Sequence, residues 1–468
     1  MKIQFDEKNL MAGMVGKANG VTRSEFERSK TKGIKALKSF QKLSEQGRYG
    51  FPHLPFQKKA IADIGRYADS VRGGYDTVCV VGIGGSALGA WALDCGIRGP
   101  HPVQGAWTPE RPRLVILDNV DPAFTAAALA SMDPRKTLTV VIAKSGGTAE
   151  TVSTFLIVRD WMEQAMGGET AGRIVAVTTE GKGDLFALAQ AEGYRTFGIP
   201  ENVGGRFSVL SAVGLVPAAL IGLDMSRLIR GAAAMTQLCW QEDLERNIAL
   251  RAALFHWLVW TRKKKTIQVA FPYSNHLWGT AFWFRQLWAE SLGKARNRKG
   301  EVVHTGQTPV AALGTTDQHS QVQLYIEGPN DKVFTFWAVE KSPSPGKIPA
   351  RRFNLPAFDA LAGQSLKTLI DAERRATAAA LVENGRPNCT VTLGRVDEEH
   401  LGAFLQMMEF QTAFLGELLD IDAFDQEGVE LGKRFTYGLM GRKGFEPYRK
   451  QFEDYEKKRG EMGAEGGR

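Results

Sequence analysis

Over residues 1–55 apolar positions are sparse among Lys, Glu and Gln, a pattern that predicts peripheral helices. From about Asp76 the pattern changes. Residues 77–81 form a short β-branched run, and similar runs follow at 114–117, 137–143 and 174–178. Helix-like stretches separate them, one rich in small residues after Gly85 and one from about Thr148. Strands that are apolar on both faces and alternate with helices predict a parallel sheet covered on both sides.

The alternation then resumes. An apolar helical stretch at 254–260 leads into a strand at 266–271 and a helix at about 279–294. Further strands are expected at 309–313, 322–326, 333–339 and 389–393, with amphipathic helices at 358–383 and 398–419. The fold class is therefore α/β, with two doubly wound domains whose mainly parallel sheets are flanked by helices. The expected divisions are a helical N-terminal segment (1–55), two α/β domains (56–235 and 236–420) and a C-terminal arm (421–468). No close sequence repeat relates the halves. The tail beyond Phe452 is charged and Gly-rich and is expected to fray.

Composition narrows the class without choosing a function. With 43% hydrophobic and 24% charged residues the chain is an ordinary globular protein rather than a disordered one. A net charge of +8 and a pI near 9.2 suit an anionic partner, whether nucleic acid, membrane surface or small phosphorylated substrate. The basic residues are scattered. The tightest run, 262–265, follows a helix and reads as a complement to its C-terminal dipole, which disfavours nucleic-acid binding. The longest apolar stretch, 212–223, is short for a membrane span and contains Pro217, and the first ten residues lack an apolar signal core. Cys79, Cys95, Cys239 and Cys389 form no Cys-x-x-Cys pair and no metal-ligand spacing with histidine; His256, His276 and His304 share none either. Free thiols in a soluble, cytoplasmic protein are the expectation.

Two loops carry candidate chemistry. Gly82-Ile-Gly-Gly-Ser86 lies between a predicted strand and helix, where glycines let backbone N–H groups approach an anion and the helix N-terminus adds partial positive charge. Ser86 is placed to cap that helix or to donate to a phosphate. Lys144-Ser-Gly-Gly-Thr148 repeats the arrangement, and its cation and two hydroxyls suit a phosphate monoester. Neither loop has the order of a nucleotide P-loop or of a dinucleotide fingerprint. The first loop, taken alone, reads equally as an ordinary tight turn.

Together the loops resemble the phosphosugar pocket of sugar-isomerase (SIS) domains, and four further segments narrow the resemblance to the glucose-6-phosphate isomerase family. These are Gly204-Gly-Arg-Phe-Ser208, Gln286-Leu-Trp-Ala-Glu290-Ser-Leu-Gly-Lys294, Gly314-Thr-Thr-Asp-Gln-His319-Ser and Asp425-Gln-Glu-Gly-Val-Glu-Leu-Gly-Lys433. They occur in the family's order over about residues 80–435. Departures are Ala143 for a common Ser, Gly147 for Thr, Leu210 for Trp and Glu427 for an apolar residue. The first two remove hydroxyls from the phosphate loop and bear on affinity and on the choice between glucose and mannose phosphates.

The resemblance implies two SIS-type domains and reversible isomerisation of an aldose and a ketose phosphate through an enediol, with neither metal nor organic cofactor. That chemistry needs a base, a ring-opening group and positive charge at the oxyanion. Glu290 is the expected base. It lies four helical residues after Gln286, so both share a face, with Trp283, Phe284 and Trp288 nearby to limit solvation. Without the family match, Glu290 would read as a surface partner of Lys294. Arg206 is the expected electrophile. His319 is expected to open the ring, assisted by Lys433, whose partner Glu430 orients it or caps its helix. Gly85, Ser86, Lys144, Ser145, Gly147, Thr148, Gln286 and Gln426 are the expected substrate and phosphate contacts. The resemblance further implies a homodimer in which His319 reaches the neighbouring subunit's site. The alternatives are an isomerase for another phosphosugar, a dual phosphoglucose/phosphomannose enzyme, and a non-catalytic SIS-domain regulator that needs the pocket but not Glu290.

Overall fold

A computed structural model describes residues 2–100, 111–144 and 146–465, which form two compact units, Met1–Ala423 and Phe424–Arg468. In chain order the strands of the first unit are β1 (Ile3–Asp6), β2 (Thr77–Val81), β3 (Arg113–Leu117), β4 (Thr137–Ile142), β5 (Ile174–Thr178), β6 (Arg195–Gly198), β7 (Ile267–Pro272), β8 (Lys294–Arg296), β9 (Val302–Thr305), β10 (Thr308–Ala311), β11 (Lys332–Val339) and β12 (Asn388–Leu393). Its principal helices are α1 (Arg23–Glu45), α2 (Gly85–Arg98), α3 (Ala149–Met166), α4 (Ile248–Thr261), α5 (Trp278–Leu292), α6 (Val322–Glu327), α7 (Leu366–Glu383) and α8 (Glu398–Leu418).

One sheet has the order β3-β2-β4-β5-β6 and is parallel throughout. The other has the order β1-β12-β11-β7-β10 and is parallel except for β1, which runs antiparallel to β12 with Ile3 opposite Leu393. Every residue of β2 and of β4 is buried, as expected for strands covered on both faces. Full burial of each Val in these strands contributes roughly 1.5–3 kcal/mol.

Both sheets are wound alike. In each, the first strand of the winding sits between its successor and the third strand: β3-β2-β4 in one, β10-β7-β11 in the other. The direction of winding reverses there, which opens a crevice at the C-terminal strand ends, the place where open α/β sheets bind ligands.

Helix packing joins the two. A Cβ added at Gly279 on α5 would lie 2.9 Å from the Cys95 side chain and 3.1 Å from the Trp91 carbonyl on α2. Trp91 and Phe282 rings meet at 5.1 Å. The absence of a side chain at Gly279 thus lets α5 approach α2 closely, and residues further along α5 come to lie at the N-terminus of α2. Helix α8 is buried at every residue from His400 to Gly416.

Several expectations need correction. The N-terminal segment is not wholly helical, since β1 completes the second sheet. Residues 322–326 are not a strand but the start of α6, with Tyr325 buried and Leu324 55% exposed. A short apolar run does not by itself separate strand from helix. The helix expected over 358–383 begins only at Leu366, after Gly363 at φ +80° and a cap in which Ser365 Oγ accepts from the Thr368 N–H. The basic run 262–265 ties down the N-terminal segment: Lys263 pairs with Glu25 at 2.9 Å, and the buried Lys265 donates to Asn19 and Asn330. The strand β6 and the β8–β9 hairpin had no clear signal in the pattern. The four cysteines are buried and free. No helix among the described residues is long and apolar enough to cross a membrane.

The second unit contains α9 (Glu430–Leu439) and α10 (Glu446–Glu465). Residues 453–465, expected to fray, continue as helix α10.

Candidate active site

The two glycine loops follow β2 and β4, adjacent strands on either side of the winding reversal. After β2 the chain turns through Gly84 at φ +58° into α2. A Cβ at Gly84 would lie 2.9 Å from Gln286 Nε2, and one at Gly85 would lie 2.3 Å from the carbonyl carbon and oxygen of Gly205. Gly85 is therefore required by its close approach to backbone, and Gly84 by its positive φ. Ser86 does not cap α2; Gly84 holds the N-cap position and Ser86 lies half-buried in the first turn. After β4, Gly146 turns at φ +71°, and Thr148 is the N-cap of α3 with no side-chain capping bond. The first N–H groups of α3 lie at the same crevice end as the N-terminus of α2, since both helices start at the C-terminal ends of adjacent parallel strands, an arrangement suited to an anion. Gly147 lies between them, and Ser145 falls outside the described residues.

Lys144 is occupied differently from expectation. Its ammonium donates to the carbonyls of Glu201 and Val203, each at 2.8 Å. Burial lowers its pKa, and Glu201 acts in the opposite sense.

Arg206 follows in a 3₁₀ turn, Gly205–Phe207, and its guanidinium is buried. Nε donates to Ser291 Oγ at 2.8 Å and Nη2 to the Ala423 carbonyl at 2.6 Å. Nη1 stands 3.5 Å from Glu290 Oε2, with side-chain exposures of 1% for Arg206 and 26% for Glu290. The carboxylate is thus at the mouth and the guanidinium behind it. Gln286 Nε2 donates to Glu290 Oε1 at 3.1 Å, so the shared helix face expected from the spacing is present. The ion pair of Glu290 is with Arg206 rather than Lys294. A buried guanidinium requires such compensation, since an unpaired buried charge costs several kcal/mol, on the order of 3–5.

The aromatic residues of α5 divide their work. Phe284 packs on Trp337 at 5.7 Å and Trp288 on His256 at 5.6 Å, so both anchor the helix from the core side. Trp283 is buried and, by helical spacing, lies on the face that carries Gln286 and Glu290.

His319 is exposed at the end of a one-turn 3₁₀ helix, Thr316–Gln318. Asp317 Oδ2 accepts from the Leu313 N–H at 2.7 Å, and the Tyr273 hydroxyl donates to Gln318 Oε1 at 2.5 Å. These bonds fix the loop while leaving the imidazole outward. Gln426 and Lys433 belong to the second unit. Gln426 is exposed ahead of a short 3₁₀ helix, and Lys433 Nζ lies 2.9 Å from Glu430 Oε1 on α9, both about half exposed. Glu430 pairs with Lys433 across one helical turn.

The folding therefore brings Gly84, Gly85, Arg206, Gln286 and Glu290 together. Sequence reasoning missed Ser291 and the Ala423 carbonyl as supports of Arg206. Ser291 is adjacent to Glu290 in the motif, but its partner lies on a distant turn. The arrangement offers a carboxylate held by an amide, a fixed positive charge beside it, and helix N-termini for an anion. It is suited to moving a proton on a phosphorylated substrate.

Comparison with known proteins places the chain among its relatives. The family model for phosphoglucose isomerase matches residues 59–444. A glucose-6-phosphate isomerase of Carboxydothermus hydrogenoformans is 41% identical over 458 residues, covering 96% of this chain and 97% of that protein. One from Thermus thermophilus is 38% identical over 387 residues, covering 83% and 89%. Among solved structures, a hypothetical protein from Thermus thermophilus superposes with a TM-score of 0.84 at 34% identity, over 94% of this chain and all (100%) of that one. A glucose-6-phosphate isomerase from Chlamydia trachomatis shares the fold, with a TM-score of 0.74 at 24% identity over 85% and 76% of the two chains. With its motifs in order, its glycine loops at the winding reversal and its relatives matched nearly end to end, the chain belongs to the phosphoglucose isomerase family.

Proposed function

We propose that this chain is an aldose–ketose isomerase that interconverts glucose 6-phosphate and fructose 6-phosphate, and that Glu290 is its base. The observation that carries the reading is the Arg206–Glu290–Gln286 cluster set against the N-terminus of α2. The substrate phosphate binds where α2 and α3 begin, held by Ser86, Thr148, the Ser145 and Gly147 segment and the N–H groups near Gly85. Glu290 removes the C2 proton of the open-chain aldose and returns it to C1, and Gln286 keeps the carboxylate aimed. Arg206 stabilises the negative charge on the enediolate oxygen; it stays charged and is already fixed, so no reorganisation is needed.

Ring opening needs a group that exchanges a hydroxyl proton near neutral pH, and His319 fills that role with Lys433 at the ring oxygen and Gln426 as a further contact. The working form is a homodimer, with His319 of each chain serving the site of the partner subunit. The outward placement of His319 on a braced loop supports this. The buried free thiols support a reducing, cytoplasmic setting.

The direct test is conversion of fructose 6-phosphate to glucose 6-phosphate, coupled to an NADP-linked dehydrogenase, with EDTA present. Robust turnover is expected. Phosphosugar binding without turnover would replace this reading by the regulator or by an isomerase of another sugar phosphate. Mannose 6-phosphate, assayed in parallel, decides the epimer range left open by Ala143 and Gly147.

A further inference from the structure

We propose that Lys144 is a positioning residue: its ammonium clamps the carbonyls of Glu201 and Val203 and so sets the turn that places Arg206, instead of serving as the cation of the phosphate site. The inference rests on the isomerase reading for its kinetic part only.

The clamp has fixed ends. On the Lys144 side, the Thr179 hydroxyl donates to the Lys144 carbonyl at 3.0 Å, and the Ala143 N–H donates to the Val177 carbonyl at 3.1 Å, so the residue is held between the ends of β4 and β5. On the other side, the two carbonyls it grips belong to the residues that enter the Gly204-Gly205-Arg206 turn. The turn is itself closed by the Val203 N–H donating to the Pro200 carbonyl at 3.1 Å and the Phe207 N–H donating to Gly204 at 3.0 Å. A lysine ammonium has three donors. Two are spent on carbonyls at 2.8 Å, and a group held in that way is poorly placed to swing onto a ligand.

The turn also has no slack toward the substrate. Gly205 is pressed against Gly85, where a single added Cβ would come within 2.3 Å. Any drift of residues 201–205 therefore moves both the Arg206 guanidinium and the start of α2. Arg206 has to keep bonds to Ser291 and Ala423 while staying beside Glu290, so a small displacement acts on the proton-transfer geometry. The far side of the same turn is pinned independently, by the Gly50 N–H donating to the Asn202 carbonyl at 2.9 Å and Asn202 Nδ2 donating to the Gly47 carbonyl at 2.8 Å. Loss of the clamp thus loosens the turn without unfolding it.

The test uses the full-length protein with Lys144→Met, which keeps an unbranched side chain as far as the Cε position and removes its donors, and Lys144→Arg, which restores them. Lys144→Met is expected to lower kcat about 10- to 100-fold, the scale of a misplaced catalytic group. KM and the inhibition constant of inorganic phosphate should stay within about twofold, because uniform substrate binding is untouched. Lys144→Arg should regain most of the rate. Amide hydrogen exchange of residues 201–207, measured without substrate, should quicken in Lys144→Met and recover in Lys144→Arg. A tenfold rise in KM and in the phosphate inhibition constant, at unchanged kcat and unchanged exchange, would overturn the clamp and return Lys144 to the phosphate. Quickened exchange in a protein that shows no isomerase turnover in any form would uphold the clamp and reject the isomerase reading. Should Lys144→Met fail to fold, Lys144→Gln, which keeps one donor group, is read by the same criteria.

Discussion

At the scale of single residues the site is an arrangement of charges with unequal access to water. Arg206 is sealed behind Glu290 and spends its fork on Ser291, Ala423 and the carboxylate. Glu290→Gln keeps the shape and the Gln286 neighbour but removes the proposed base; kcat should fall by about 10³-fold or more while a substrate analogue still binds by calorimetry. Near-normal turnover would sink the assignment. Arg206→Lys substitutes a point charge for a planar fork that reaches Ser291, Ala423 and Glu290, and kcat should fall about 10²- to 10³-fold with little change in KM in steady-state kinetics. A buried carboxyl away from this site bears on the response to pH. Glu409 on α8 is 0% exposed, and neither carboxylate oxygen has a partner among the described residues. Burial drives its pKa well above the ordinary value of 4.5. The folded state therefore holds a proton that the unfolded chain releases above that value, and stability falls as pH rises from there toward the raised pKa. Glu409→Gln removes this titration. The parent's melting temperature should decline more steeply than the variant's as pH rises above about 5. Parallel profiles would show that Glu409 does not titrate between the states.

At the scale of elements, function depends on how closely two helices and one turn approach. Helix α2 begins where β2 ends, α3 begins where the neighbouring β4 ends, and α5 lies against α2 through Gly279. Glycine is required on one side of the loop contact and not on the other. A Cβ at Gly85 meets the Gly205 backbone at 2.3 Å, whereas a Cβ at Gly205 meets nothing within 4 Å. Gly85→Ala should therefore cost about 1–3 kcal/mol of stability, the usual range for overpacking, and Gly205→Ala close to none. Thermal melts of the pair check this; equal losses would mean that the loop relaxes away from the turn at no cost.

At the scale of the whole molecule, the two sheets repeat one winding order, yet the chemistry is shared between them. The first sheet supplies the glycine loops, and Glu290 comes from the helix that follows the first strand of the second winding. The proposed homodimer extends this sharing across chains. If each site takes Glu290 from one chain and His319 from the other, a mixed dimer of Glu290→Gln and His319→Ala chains has one site with both groups intact. Random reassortment of the two inactive variants should then restore about a quarter of the parental activity. Activity that stays at the level of the single variants after exchange of chains would confine each site to one chain.

The sequence by itself determined the fold class. Strands buried on both faces need continuous β-branched runs, and helix starts need glycine turns and caps, so β2, β4, β5, β7, β11, α3 and α8 were legible from pattern alone. The pairing of Gln286 with Glu290 was legible for the same reason, because helical spacing is a local property. What only the tertiary structure decided was long-range. The short α6 has no decisive periodicity, and β1 has meaning only once β12 lies beside it. The occupation of Lys144 by two carbonyls, the support of Arg206 by Ser291 and Ala423, and the pressure of Gly85 on Gly205 join residues far apart in the chain. No local pattern encodes such contacts. They arise when the winding of the sheets and the approach of α2 and α5 leave one place where those groups can meet.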